Sequence, residues 1–305
     1  LIDQFNGVSA ADRARKYRPY GDVWADQANI SYWARGADSS YHSLQVYLVK
    51  RFTQNFTYNV AYTFSKVLGT SQLGYLGDTQ VSDNENLRYD RGMPQFDRTH
   101  IFVVNAIYNL PKFQNLNPFL RNVLGDWEMT GIFSYNTGVP LTVYSGFNTS
   151  NTRNARADQI GDPAGPHSID KWFNTAAFRI PTIIGAMGNS PRGVSGERSP
   201  TINNFDWSIY KNFAIPWMKS RYTAESAKIQ FRAEFFNILN HTQFFPPDTN
   251  ISPRDVITDQ TNPNRDVDTA TGKVNIPVSK YSPTFGTISR SRDPREIQFA
   301  LKLIW

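Results

Sequence analysis

Hydrophobic and polar positions alternate with a period of two along much of the chain. From Phe56 to Ser65 every even position is aromatic or Val and every odd position is small or polar. A helix would spread Phe56, Tyr58, Val60, Tyr62 and Phe64 around its circumference, whereas a strand puts all five on one face. The final segment repeats the rule, with Ile297, Phe299, Leu301, Leu303 and Trp305 on one face and Glu296, Gln298, Ala300 and Lys302 on the other. Ile229, Phe231, Ala233 and Phe235 alternate with Gln230, Arg232 and Glu234. Trp127, Met129, Phe133 and Tyr135 oppose Glu128, Thr130 and Ser134, and Leu44, Val46 and Leu48 oppose Ser43, Gln45 and Arg51. Phe205, Trp207 and Ile209 oppose Asp206 and Ser208. Phe102, Val104, Ala106 and Tyr108 mark a further strand whose other face, with Ile101, Val103 and Ile107, is less polar. A weaker candidate covers Asn29 to Arg35. The pattern predicts about eight strands, each near the 9 to 11 residues of a tilted membrane crossing.

A soluble β-sandwich alternates too, so the connections decide. Only Thr53-Gln54-Asn55 links the first two clear strands. The links from Leu110 to Trp127 and from Phe213 to Ala227 are moderate, while those at about 67–96, 146–203 and 240–294 are long. Short and long therefore alternate strictly. Outer-membrane barrels show this arrangement, with short periplasmic turns and long extracellular loops. Structureless loops of such length are unusual in compact soluble domains. The pattern predicts an all-β, antiparallel transmembrane barrel segment over residues 28–305, preceded by a loop or partial strand at 1–27. Its last strand runs down to a periplasmic C-terminus.

Composition supports this with little independent weight. No apolar run approaches the roughly 18 residues of a membrane-spanning helix. Aromatics make up 14% of the 305 residues, which suits the girdles of a barrel at two membrane interfaces. Cysteine is absent, which removes thiol chemistry, thiolate metal sites and disulfides. The net charge of +6 comes from Lys and Arg scattered among Asp and Glu, a poor footprint for nucleic acid. Anionic lipid headgroups or lipopolysaccharide would use the excess better. The chain starts at Leu1 without an initiator Met or a signal peptide, and is expected to be a piece of a longer polypeptide.

Several strings resemble a known family. Tyr41-His-Ser-Leu-Gln-Val46 and Phe56-Thr-Tyr-Asn-Val-Ala-Tyr-Thr-Phe-Ser-Lys66 look like the C-terminal barrel half of TonB-dependent receptors. The nearest branch is the Oar-like group, which carries a carboxypeptidase-regulatory-like domain. Phe96-Asp-Arg-Thr-His100, Trp172-Phe-Asn-Thr-Ala-Ala-Phe178 and Gly188-Asn-Ser-Pro-Arg192 are similar to the same group. So are Phe205-Asp-Trp-Ser-Ile-Tyr-Lys-Asn-Phe213, Gln230-Phe-Arg-Ala-Glu-Phe-Phe-Asn-Ile-Leu-Asn-His241 and Gln298-Phe-Ala-Leu-Lys-Leu-Ile-Trp305. The resemblance implies an outer-membrane location, a barrel of about 22 strands with a plugged lumen, and energy coupling through the TonB system. It departs from the family in having no plug domain, no TonB box and too few strands for a whole barrel. Coupled uptake is thus expected of a parent protein, with the rest of its barrel and its plug as partners. The alternative is an outer-membrane anchor or surface-interaction protein that transports nothing.

Candidate chemistry is sparse. Phe299, Leu301, Leu303 and Trp305 resemble the C-terminal signal that the barrel-assembly machinery reads by strand addition. Arg51, Arg232, Glu234, Glu296 and Lys302 are read as lumen-facing charges, lining a path or forming an internal salt-bridge network. Trp172, Phe173, Phe178, Phe244 and Phe245 lie in the two longest loops, where they either contact a ligand or partner or pack the loops together. Asp78, Asp83, Asn84, Glu85 and Asp90 cluster without the spacing of an EF-hand, as does Asp266-Val-Asp268, and are read as solvated. The four histidines, His42, His100, His167 and His241, form no i, i+4 metal pair, and a structural hydrogen bond is expected of His100. Gly193-Val-Ser195-Gly196 is not a nucleophile elbow. Neither catalysis nor a cofactor is expected.

Overall fold

The computed structural model describes residues 36–53, 55–70, 82–83, 86–149, 155–194, 196–219, 226–257 and 265–304. The expected N-terminal segment 1–27, the weak strand Asn29 to Arg35 and Trp305 lie outside them. Nine strands are described, β1 (Ser39–Thr53), β2 (Phe56–Gly69), β3 (His100–Asn109), β4 (Glu128–Asn136), β5 (Asp158–Gln159), β6 (Phe178–Arg179), β7 (Ile202–Lys219), β8 (Ser226–Phe236) and β9 (Glu296–Ile304). Seven of them form one antiparallel sheet in the order β1-β2-β3-β4-β7-β8-β9, a meander in which each long strand pairs with the next. The sheet is open: β1 and β9 are its two edges among the described residues. β5 and β6 form a separate small hairpin.

Register converts the alternation into two continuous faces. Val46 pairs with Tyr62, Tyr62 with Phe102, Phe102 with Tyr135, and Phe133 with Phe205. Trp207 pairs with Phe235, and Phe231 with Leu301. Every one of these residues belongs to the apolar face. Along it, β2 and β3 each carry aromatics at both ends and aliphatic or small residues between. The sequence runs Phe56, Tyr58, Val60, Tyr62, Phe64 on β2, and Phe102, Val104, Ala106, Tyr108 on β3. From Phe56 to Phe64 the strand rises about 26 Å at roughly 3.3 Å per residue, close to the height of a barrel's apolar band. The opposite face carries Thr57, Asn59 and Thr63, then Thr130 and Ser134, then Ser208, Gln230, Arg232 and Glu234.

A charge placed mid-band tests this assignment. Val60→Arg is expected to cost about 2–4 kcal/mol of folding stability in a bilayer. Ala61→Arg, one residue on and on the polar face, is expected to cost little. The urea midpoint of the folded-to-unfolded gel-mobility shift in vesicles measures both, and equal losses would refute the facing.

The strands are longer than the alternation alone predicts. β2 continues past Ser65 to Gly69, because Val67 and Gly69 still pair with Tyr41 and Ser39. β7 reaches Lys219 through a register shift after Ile215, which leaves 220–225 between it and β8. The Thr53↔Phe56 pair closes the first link, where Asn55 takes φ 63°, a left-handed conformation Asn tolerates. The link from Leu110 to Trp127 holds a short helix, α1 (Pro118–Leu124), that no periodicity announced.

The long connections, 70–99, 137–201 and 237–295, all emerge at one end of the sheet and pack together. Leu141, Val143, Phe173, Phe178 and Val194 from the second join Ile251, Val267, Val274, Tyr281 and Phe285 from the third in one buried core. Phe173 is edge-on to both Phe178 and Phe285, with ring centroids 5.8 and 5.4 Å apart. β4 ends at Asn136, and Leu141 and Val143 pack into this loop core, so the second connection starts earlier than 146.

Buried ion pairs fix the loops to the sheet. Asp97, wholly buried, accepts the Val67 amide of β2 at 2.7 Å and pairs with Arg198 of the second connection at 2.6 Å. Arg198 also donates to the Gly138 carbonyl at 2.9 Å. Asp90, also wholly buried, pairs with Arg192 at 3.2 Å and accepts from the Ser82 amide and hydroxyl. Arg192 reaches the Thr70 carbonyl at the end of β2. Gly138 is required where it stands, since a Cβ there would meet the Ser199 carbonyl oxygen at 1.7 Å.

Candidate functional site

The polar face meets the packed loops at an open cleft of about 530 Å³. Three sheet strands line its floor through even-numbered positions: Ile202, Asn204 and Asp206 of β7, Phe236 of β8 and Glu296 of β9. Gln243, Phe245 and Arg292 of the third connection line its wall.

Local hydrogen bonds shape this cleft. Asp206 accepts from the Asn204 amide group at 2.7 Å and from the Asn237 backbone at 2.9 Å. Asn237 and His241 bond reciprocally, side chain to backbone, at 3.0 Å each way. Asn237 and Asn240 take φ 48° and 49°, so the Phe-Asn-Ile-Leu-Asn-His string is a turn that needs residues tolerant of the left-handed region. Gln243 donates to the Asn203 carbonyl at 3.0 Å and its own carbonyl accepts from the Arg292 amide at 2.7 Å. The Arg290 and Arg292 guanidiniums flank Phe245, each 5.0 Å from the ring centre. Burial, with the charges of Arg292 and Arg198, pushes Arg98 below the ordinary arginine value. Cations thus gather on the loop side of the cleft, which the exposed carboxylates of Asp293 and Glu296 also line.

The sequence model of a family described as an outer membrane beta barrel domain matches residues 2–298. The chain belongs to that family. No curated protein and no solved structure matches it significantly. The barrel domain resides in the outer membrane, so the apolar face with its aromatic ends is the one that meets lipid, and the polar face is the luminal one.

The charges expected to face the lumen are only partly brought together. Arg232 and Glu234 form an ion pair at 3.4 Å, and Arg232 lies 5.6 Å from the Tyr210 ring, which in turn hydrogen-bonds Glu128. Glu296 stands apart, at the cleft, and Lys302 pairs in register with Gln230 near the opposite end. Arg51 lies in the irregular stretch between Lys50 and Thr53, where β1 loses its register with β2. Phe299, Leu301 and Leu303 line the exposed outer face of the edge strand β9, with Phe299 stacked on Phe231.

The loop aromatics divide. Phe173 and Phe178 are interior residues of the loop core, so packing and not ligand contact is their role. Trp172 packs against that core, donates its indole N–H to the Arg198 carbonyl at 2.7 Å and lies over His167. Phe244 sits on a backbone bridge to Ser291, and Phe245 alone of the five lines the cleft. Asp90 is an ion-pair partner of Arg192 rather than a solvated carboxylate; Asp78, Asn84 and Glu85 lie outside the described residues. Asp266 is likewise buried and pairs with Lys280 at 2.5 Å, while Asp268 pairs with Arg265 at 2.6 Å. The expected structural bond of His100 is to the Tyr62 hydroxyl, at 2.8 Å. Among the described residues no group of three His, Asp or Glu side chains is placed to hold a metal ion.

Sequence reasoning missed the cleft residues Asn204, Asp206, Gln243 and Arg292, and it missed Lys211. The last had a signal: Phe205, Trp207, Ile209, Lys211 and Phe213 run along one face, and a lone ammonium interrupts an apolar row.

Proposed function

We propose that the chain is the C-terminal barrel portion of a TonB-coupled receptor that takes a polar solute across the outer membrane. The observation that carries this reading is the polar cleft on the luminal face, set directly beneath loops that are packed around their own core. In this reading the long connections face the cell exterior, the short turns face the periplasm, and β1 and β9 pair with strands of the same parent barrel. A plug from that parent occupies the lumen, and the terminal strand guides assembly. The resemblance to the Oar-like branch supports the energy coupling, and the rim of mixed charge suits a solute held by hydrogen bonds. No catalytic step is assigned to the chain.

Disrupting the encoding gene and, separately, the inner-membrane coupling complex is expected to abolish uptake of the same solute from the medium. Glu296→Ala is expected to weaken that uptake about ten-fold, since a hydrogen bond to a charged group is worth roughly 1.5–3 kcal/mol. Full uptake in both strains, with loss of cell-surface attachment, would instead establish the anchor reading, which the rigid loop platform also favours.

A further inference from the structure

The turn between β3 and β4 carries a feature that neither strand pairing nor solute uptake uses. In α1, Phe119, Leu120, Val123 and Leu124 fall within an arc of about 140° at 100° per residue, with Arg121 and Asn122 on the other side. All four apolar residues are exposed, Phe119 most of all at 75%. Phe113 and Leu116, just before the helix, are exposed as well. Six exposed apolar residues in one turn make a patch that water would not favour.

The helix is held at a defined place. Asn117 caps its start by accepting the Leu120 amide at 2.8 Å, with Pro118 in the first turn. Its last carbonyls are taken by groups from the lipid-facing side of the sheet. The Trp127 indole donates to the Val123 carbonyl at 2.8 Å. The Lys211 ammonium, buried on the apolar face, donates to the Asn122 carbonyl and, at 2.6 Å, to the Gly125 carbonyl. A cation at a helix C-terminus is favourable, and this one also explains how a charge is tolerated on that face. Lys211 lies near the Trp127 and Phe213 rings, 5.6 and 5.4 Å from their centres. The helix therefore leans on the outside of the barrel wall and not on its lumen.

We infer that α1 is an interfacial anchor, lying in the phospholipid leaflet at the short-turn end of the barrel. The occupant of its apolar arc is acyl chain, because the arc is continuous with the face that already meets lipid. The charge agrees: between Leu110 and Trp127 the two cations Lys112 and Arg121 outnumber the one carboxylate, Asp126, and both suit phosphate headgroups. Trp217, 86% exposed in the last part of β7, adds an interface-seeking indole at this end.

These 305 residues contain no cysteine, so single-cysteine labelling tests the inference once any cysteine elsewhere in the parent protein is replaced by Ser. Full-length protein carrying Phe119→Cys, Val123→Cys or Asn115→Cys would be labelled with a small fluorophore. Each would be reconstituted in vesicles of phosphatidylethanolamine and phosphatidylglycerol, with Ile229→Cys as the lipid-facing reference. The labels at 119 and 123 are expected to lose most of their emission to spin-labelled phospholipid, as at 229, and little to aqueous iodide. The label at 115 is expected to show the reverse. Quenching at 119 and 123 by iodide alone would overturn the inference. Protection from both quenchers would also overturn it, by showing that a protein covers the arc.

Discussion

Asp97→Ala is expected to lower the stability of the folded barrel domain by about 3 kcal/mol, the low end of the cost of breaking a buried ion pair. The carboxylate is fully buried and serves two partners at once, the Val67 amide and the Arg198 guanidinium. Its removal orphans an amide at the end of β2 and a cation at the base of the second long connection. Arg198 keeps the Gly138 carbonyl and is about one quarter exposed, which limits the loss. Asp97→Asn retains an acceptor for Val67 while removing the charge, and is expected to cost roughly half as much. The urea midpoint of the gel-mobility shift measures both variants. Wild-type midpoints in both would mean that the loops hold to the sheet by other means.

Asp97 also shows where the sequence was legible and where it was not. The strand segments could be read because a barrel wall imposes one simple rule over many residues: apolar toward lipid, polar toward lumen. Phe56 to Phe64 obeys it without exception, and register then aligns it with Phe102 and Tyr108 of β3. The alternation of link lengths was readable for the same reason, since a meander returns to the same end every second connection. Asp97, in contrast, lies in a loop with no period, and its partner is about a hundred residues away. A carboxylate in a Gly-, Asp- and Asn-rich stretch looks solvated until the fold supplies Arg198. Asp90 and Arg192 hid in the same manner.

The cleft was hidden by a different cause. Its floor is made of residues that the strand rule assigns to the lumen side in general, among which nothing marks Asn204 or Asp206. What singles them out is the neighbouring turn, where Asn237 and Gln243 bond back to β7. α1 escaped because it is only two turns long, too short for a periodicity to declare itself, and because its stabilising partners, Trp127 just before β4 and Lys211 on β7, lie outside it. Helices this short depend on tertiary contacts far more than on propensity.

The second large effect is expected from Phe173→Ala. The ring is nearly wholly buried, between Phe178 and Phe285, and its removal should cost the loop core about 3–5 kcal/mol. The consequence is expected to be local. The sheet is held by strand pairing and by lipid, neither of which involves Phe173, whereas the second and third long connections meet through this core and the backbone bonds around it, such as Trp172 N–H to the Gly286 carbonyl and Ile251 N–H to the Tyr144 carbonyl. Protease added to intact cells is therefore expected to cut within 137–201 and 237–295 far faster than in the unaltered protein, while the folded gel mobility persists. Unchanged cutting would remove the loop core as a stabilising unit. Loss of the folded band along with the loops would show that the two regions unfold together, and the coupling element is already visible: Trp172, next to Phe173, bonds the Arg198 carbonyl, and Arg198 pairs with Asp97 beside β2. Combining Phe173→Ala with Asp97→Asn would then give less than the added losses of the two, because one change would already have released what the other holds.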